Sequence, residues 1–163
     1  MSVTDDLLAN NERYAGTFPG APSSQPALRL AVVACMDARI NVEAVLGLQP
    51  GDAHIIRNAG GSVTDDEIRS LTISQRLLGT REIILIHHTS CGMQTISDDE
   101  FRESLHAETG IRPPWAAEAF TDLDADVRQS IARIKASPFI PQKDAIRGFV
   151  LDVDTGRLRE VTP

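Results

Sequence analysis

Aromatic residues and cysteines are scarce in this chain: one Trp, one Tyr, five Phe and two Cys among 163 residues. Two cysteines exclude a disulfide-stapled scaffold, and a chain of this length buries a core without one. No run approaches the ~18 apolar residues that a membrane helix needs. The first residues lack the basic start and apolar stretch of a secretory signal. Positive charge is also in deficit, because 16 basic against 23 acidic residues leave a net charge of −7 and no Lys/Arg cluster stands out. Such a surface disfavours sequence-independent binding to nucleic acid or to an anionic membrane. Together these absences suggest a cytoplasmic protein. In a reducing compartment, two cysteines more readily serve a metal or catalysis than a disulfide.

What is present reads as one ordinary globular domain, with 42% hydrophobic and 24% charged residues. Residues 5–14 predict a short helix with Thr4 as N-cap, too short to persist alone in water. A Gly/Pro/Ser-rich linker follows over residues 16–26, so residues 1–26 form an arm and residues 27–163 the main domain. Apolar, β-branched runs predict buried strands at residues 28–34, 53–56, 82–87 and 146–152. Thr64 and Glu67 have the spacing of a capping box, and Ile68, Leu71 and Leu78 continue a helical face that Gly79 stops. Residues 101–108 and 124–136 predict two more helices. The turn at Asp154-Thr155-Gly156 returns an antiparallel edge over residues 158–161. The expected fold class is therefore α/β: a mainly parallel central sheet flanked by helices, with an N-terminal helical arm.

In such sheets, sites form beyond the carboxyl ends of the strands. Two unusual segments fall there: Cys35-Met36-Asp37-Ala38-Arg39 and His88-Thr89-Ser90-Cys91-Gly92. Two thiolates and an imidazole are ligands that suit zinc. His88 and Cys91 turn toward one ion from a tight loop, and Cys35 arrives from a separate strand. Three protein ligands leave one tetrahedral position open, the mark of a catalytic zinc rather than a closed structural one. Among the other histidines, His87 should point away from the ion as a core or supporting residue, because neighbouring side chains diverge on a strand. His54 reads as a packed histidine and His106 as an exposed one. The segment Arg57-Asn58-Ala59-Gly60-Gly61 reads as a loop that walls the site or a subunit interface.

With its Cys-x-Asp-x-Arg, Arg-Asn-Ala-Gly-Gly and His-x-x-Cys-Gly segments in this order, the chain resembles the β-class carbonic anhydrases. The resemblance runs from about Leu28 to Val150 and includes Ser70-Leu71 and Leu78-Gly79. It implies a Zn2+ cofactor on Cys35, His88 and Cys91, with an Asp37–Arg39 pair beside the metal. It further implies reversible hydration of carbon dioxide to bicarbonate and a homodimer or a dimer of dimers. Asp37 would orient the nucleophile, Arg39 would hold Asp37 ionised, and in a closed state Asp37 itself would become a fourth zinc ligand. Zinc makes hydroxide available near neutral pH, and two anionic thiolates should set the pKa of its water above the ~7 of a three-histidine site.

Other readings share these residues. Relatives built on the same site hydrolyse carbon disulfide or carbonyl sulfide. A non-enzymatic interaction protein with a structural zinc closed by Asp37 would use the same four side chains. A phosphatase loop does not fit, since only three residues separate Cys35 from Arg39 and no Gly-rich cradle lies between them.

Overall fold

The structure, a computed structural model, describes residues 2–162. Five strands form one sheet: β1 (Leu30–Cys35), β2 (Ala53–Asn58), β3 (Glu82–His88), β4 (Ile146–Leu151) and β5 (Leu158–Val161). Their order is β2-β1-β3-β4-β5, parallel except for the antiparallel β5. The expected architecture and the edge hairpin are thus present. β1 starts two residues later than its apolar run suggests, because Arg29 adopts φ 52°, which an extended strand excludes. β1 and β3 each run one residue further than expected, so Cys35 and His88 are the last residues of their strands.

Alternation along the strands divides the core into two layers. Ala31, Val33, Ile83 and Leu85 face α3 (Asp65–Arg76) and α5 (Leu123–Ala136), where Leu71, Val127, Ile131 and Ile134 complete a closed apolar layer. Each of the Val, Leu and Ile side chains stabilises the fold by roughly 1.5–3 kcal/mol on burial. Gly148 on β4 lets α5 approach, because a Cβ there would overlap the Val127 side chain. The capping box of Thr64 and Glu67 starts α3 as its spacing predicts. On the other face, Leu30, Val32, Ala34 and Ile86 meet a thinner cover built around α2 (Val42–Leu46). Ile55 and Ile84 remain only half-buried there.

The helical segments differ from the sequence reading at several points; α3 ends at Arg76 with Leu77 as its C-cap, short of Leu78 and Gly79. α1 (Val3–Ala15) is capped by Ser2 rather than Thr4: the Asp5 N–H donates to Ser2 Oγ while Asp5 accepts from the Ser2 N–H. α2 was not anticipated, although Asn41 caps its start and Gly47, at φ 69°, ends it; five residues are too few for a periodic face. α4 (Asp98–Thr109) begins before Phe101 because Ser97 caps it. No residue of α1 is buried, and Val3, Leu7, Leu8 and Tyr14 are all exposed. No described helix is long and apolar enough to cross a membrane.

Candidate metal centre

β1 and β3 are neighbours in the sheet, yet the chain leaves them in opposite directions, toward β2 and toward β4. That reversal opens a crevice at their carboxyl ends. Cys35 and His88 project from rigid strand ends into it, and Ser90, at φ 55°, turns the chain so that Cys91 returns to the same point. Ligand atoms of Cys35, His88 and Cys91 all lie within 4.8 Å of one another, and the three residues are buried. Both cysteines are free thiols. The Gly60-Gly61 bend presses on the strand ends: a Cβ on Gly61 would stand 2.9 Å from the Cys35 nitrogen.

The donor set fits a cation. His88 Nδ1 donates to the Thr89 carbonyl at 2.9 Å, which fixes the tautomer and leaves a lone pair on Nε2. That Nε2 is buried and has no hydrogen-bond partner. Such an orphan costs about 1–3 kcal/mol unless something satisfies it, and a metal held jointly by two thiolates does so. The Cys91 thiol beside Cys35 brings the Cys35 pKa down to about 4 against the opposing effect of burial, with His88 assisting. The same contact, together with burial, raises that of Cys91. Burial opposes a proton on His88, but the Cys35 thiolate, the Thr89 carbonyl and Asp37 outweigh it and raise its pKa. The pocket thus concentrates negative charge around an unpartnered lone pair.

Asp37 is turned toward Arg39. The guanidinium grips it through Nε at 2.9 Å and Nη2 at 2.7 Å, and the Arg39 backbone N–H adds a third bond at 2.9 Å. Arg39, by these bonds above all, holds the Asp37 carboxyl far below the usual carboxylate range. Arg39 also donates to the Ser90 carbonyl at 3.0 Å, joining the two ligand loops. The Asp37 carboxylate lies 3.7 Å from His88 Nε2, at the edge of the ligand cluster. The Arg57 side chain donates to the Cys35 carbonyl at 3.0 and 2.9 Å and to the Asp37 carbonyl at 2.7 Å. Sequence reasoning put this residue in a wall and missed the clamp, which no local pattern announces. An apolar groove of about 1030 Å³ runs past the site, lined in part by Met36, Asn58, Ala59, Met93 and Trp115.

The remaining histidines lie elsewhere. His54 bonds Ser74 at 2.8 Å near the amino end of β2, and His106 sits exposed on α4 near Glu103. His87 is fully buried and bonds Asp126 at 2.6 Å.

Comparison with known proteins agrees with this geometry. The carbonic anhydrase family profile matches residues 30–158. A β-carbonic anhydrase of Mycobacterium tuberculosis is 58% identical over 163 residues, covering both chains completely. A carbon disulfide hydrolase of Saccharolobus solfataricus is 35% identical, over 96% of this chain and 87% of its own. The crystal structure of a carbonic anhydrase from Streptococcus mutans superposes with a TM-score of 0.92 at 47% identity, covering 99% of each chain. A strand-end cluster of two thiols and one imidazole, on this sheet and with these relatives, places the chain in the β-class carbonic anhydrase family.

Proposed function

We propose that this protein is a zinc carbonic anhydrase that interconverts carbon dioxide and bicarbonate. The observation that carries the reading is the buried, unpartnered Nε2 of His88 facing two free thiols. Cys35, His88 and Cys91 would hold the ion. Bound there, zinc supplies the Lewis acidity that brings the pKa of water toward neutrality. Asp37, ionised by its contact with Arg39, accepts a hydrogen bond from the attacking water and directs its lone pair at the substrate carbon. Arg39 keeps that carboxylate aimed. The apolar wall of Met36, Ala59 and Met93 suits an uncharged substrate.

The engagement of Asp37 by three hydrogen bonds from Arg39 supports a catalytic site over a closed structural one, since it leaves three protein donors for the ion. In a closed state the carboxylate would swing from Arg39 to become the fourth ligand. The greater identity to a carbonic anhydrase than to the carbon disulfide hydrolases supports carbon dioxide as substrate. Stopped-flow hydration of carbon dioxide by zinc-loaded protein, run beside carbon disulfide turnover, tests both points. A zinc-dependent hydration rate is expected. Carbon disulfide turnover alone reassigns the substrate, and no turnover of either points to structural zinc.

The assembly in this reading is at least a homodimer. Interior strands of a parallel sheet are normally covered on both faces, yet Ile84 on the interior strand β3 is only half-buried, as is Ile55 on the neighbouring edge strand β2. α1, with its exposed Leu7 and Leu8, supports a partner subunit that receives the arm over residues 1–26. Two metal-ready thiols suit a reducing cytoplasm.

A further inference from the structure

One buried polar group takes no part in that chemistry. His87 is fully buried, and its Nε2 donates to Asp126 Oδ2 at 2.6 Å. The same carboxylate oxygen accepts from Ser62 Oγ at 3.2 Å. His87 Nδ1 is buried without a partner, beside the Phe120 ring at 5.7 Å. An apolar pair in place of His87 and Asp126 would leave no orphaned nitrogen, and buried polar pairs often give way to apolar ones with no loss of stability. Stability alone is therefore a poor reason for a histidine here.

The chain of bonds runs to the metal centre from behind. His87 immediately precedes His88, on the opposite face of β3, so a bond that fixes His87 also fixes the roll of the strand at the ligand. Asp126 sits in the first turns of α5, and Ser62 follows the Gly60-Gly61 bend that abuts the Cys35 backbone. α5 grips the same bend twice more: Ser130 Oγ accepts from the Val63 N–H at 3.2 Å, and Arg133 donates to the Val63 carbonyl at 2.8 Å. One carboxylate on α5 thus joins the strand that carries His88 to the loop that backs Cys35.

We propose that the buried Ser62–Asp126–His87 chain is a positioning device that sets His88 against the two cysteines. The proposal rests on the zinc reading of the site. The experiment measures zinc affinity of the full chain by competition with a chromophoric chelator, the absorption of the cobalt-substituted protein, and the thermal midpoint. His87→Leu keeps an apolar body of similar size but loses the donor. It should lower zinc affinity about 10- to 100-fold, the range for groups supporting a ligand, and alter the cobalt bands; the midpoint falls as well, because Asp126 loses its buried partner, so affinity and spectrum carry the test. His87→Gln, whose amide N–H reaches Asp126, should recover most of the affinity. Unchanged affinity and spectrum in His87→Leu would overturn the proposal, as would a loss that His87→Gln leaves unrepaired. Should His87→Leu fail to fold, the milder Ser62→Ala decides: a smaller loss of affinity is expected, and none refutes the role. A wild-type chain that takes up no zinc sinks the reading of the site itself. Tight zinc binding by wild type and variants alike sinks only the positioning role.

Discussion

The N-terminal arm and the ends of β1 and β3 are opposite cases of how a sequence places its residues. α1 has a complete local specification: Ser2 and Asp5 form its capping box, and Arg13 sits in its last turn. Yet it buries nothing. A cap contributes about 1 kcal/mol, less than the 1.5–3 kcal/mol from one buried aliphatic side chain. The strand ends have little local specification, and their conformation comes from neighbours far away in the chain. Arg57 holds the carbonyls of Cys35 and Asp37, Arg39 reaches the Ser90 carbonyl, and Gly61 packs on the Cys35 backbone. Local signals define a helix, whereas packing defines a site. The arm should therefore be removable without disturbing the metal centre, and the centre should fail when a single partner is taken away.

The largest effect should come from the centre itself. Cys91→Ser removes a thiolate ligand at a type of site where binding free energy is on the order of 10 kcal/mol and is also folding free energy. Zinc content measured on purified protein should collapse and the thermal midpoint should fall with it. Full occupancy would dissolve the ligand assignment. His54→Ala, at the amino end of the sheet, should leave zinc content unchanged.

Next in size is Arg39→Ala. It leaves three ligands in place but frees Asp37 from its paired bonds, so zinc should stay while hydration falls roughly 10- to 100-fold. The pH profile sharpens the point. Arg39 keeps Asp37 ionised far below neutrality, so the carboxylate does not titrate between pH ~6 and ~9, the range that spans the expected pKa of the water. Activity should rise with pH across that interval at constant zinc content. A flat profile would remove the nucleophile from the account.

Deleting residues 1–26 tests the other half of the contrast. Sedimentation at low concentration should show weakened dimerisation, while zinc stoichiometry remains one per chain. Equal dimer stability would mean that the arm docks nowhere of consequence.

The smallest effect is expected at the surface. Arg159 binds Asp124 at 3.0 and 2.6 Å, tying α5 to β5, and this contact lowers the Asp124 pKa. Because the folded-state pKa is depressed, the contribution is present above the unfolded value near ~3.9 and is lost as pH falls through the folded one. Both partners are partly exposed, so Arg159→Ala should cost under ~1 kcal/mol at neutral pH. Denaturant titration should find that difference shrinking in acid.

Much of the fold could be read because its signals are local or periodic. The apolar runs of β1, β3 and β4 exceed what a surface segment carries, and Thr64 with Glu67 marks the start of α3. The three side chains proposed as ligands stood out for a different reason: cysteine is scarce, and Cys35, His88 and Cys91 fall at strand ends where chemistry collects. α2 went unseen because five residues make no periodicity. Ser62, Arg57 and Asp126 were illegible as a group, since serine, arginine and aspartate are common and nothing near Asp126 marks it as a partner for His87.

What the sequence determined by itself is the inventory: an α/β chain, three side chains able to hold a metal, an acidic–basic pair two residues apart, and an N-terminal helix. Spacing along the chain sets those, because strand period, caps and ligand chemistry act over a few residues. Only the tertiary structure decided that His88 Nε2 stands bare, that Asp37 faces Arg39, and that a carboxylate on α5 braces β3 from behind. Those relations depend on the order of strands in the sheet and on which helix crosses which strand, and they exist only once the apolar layers have packed.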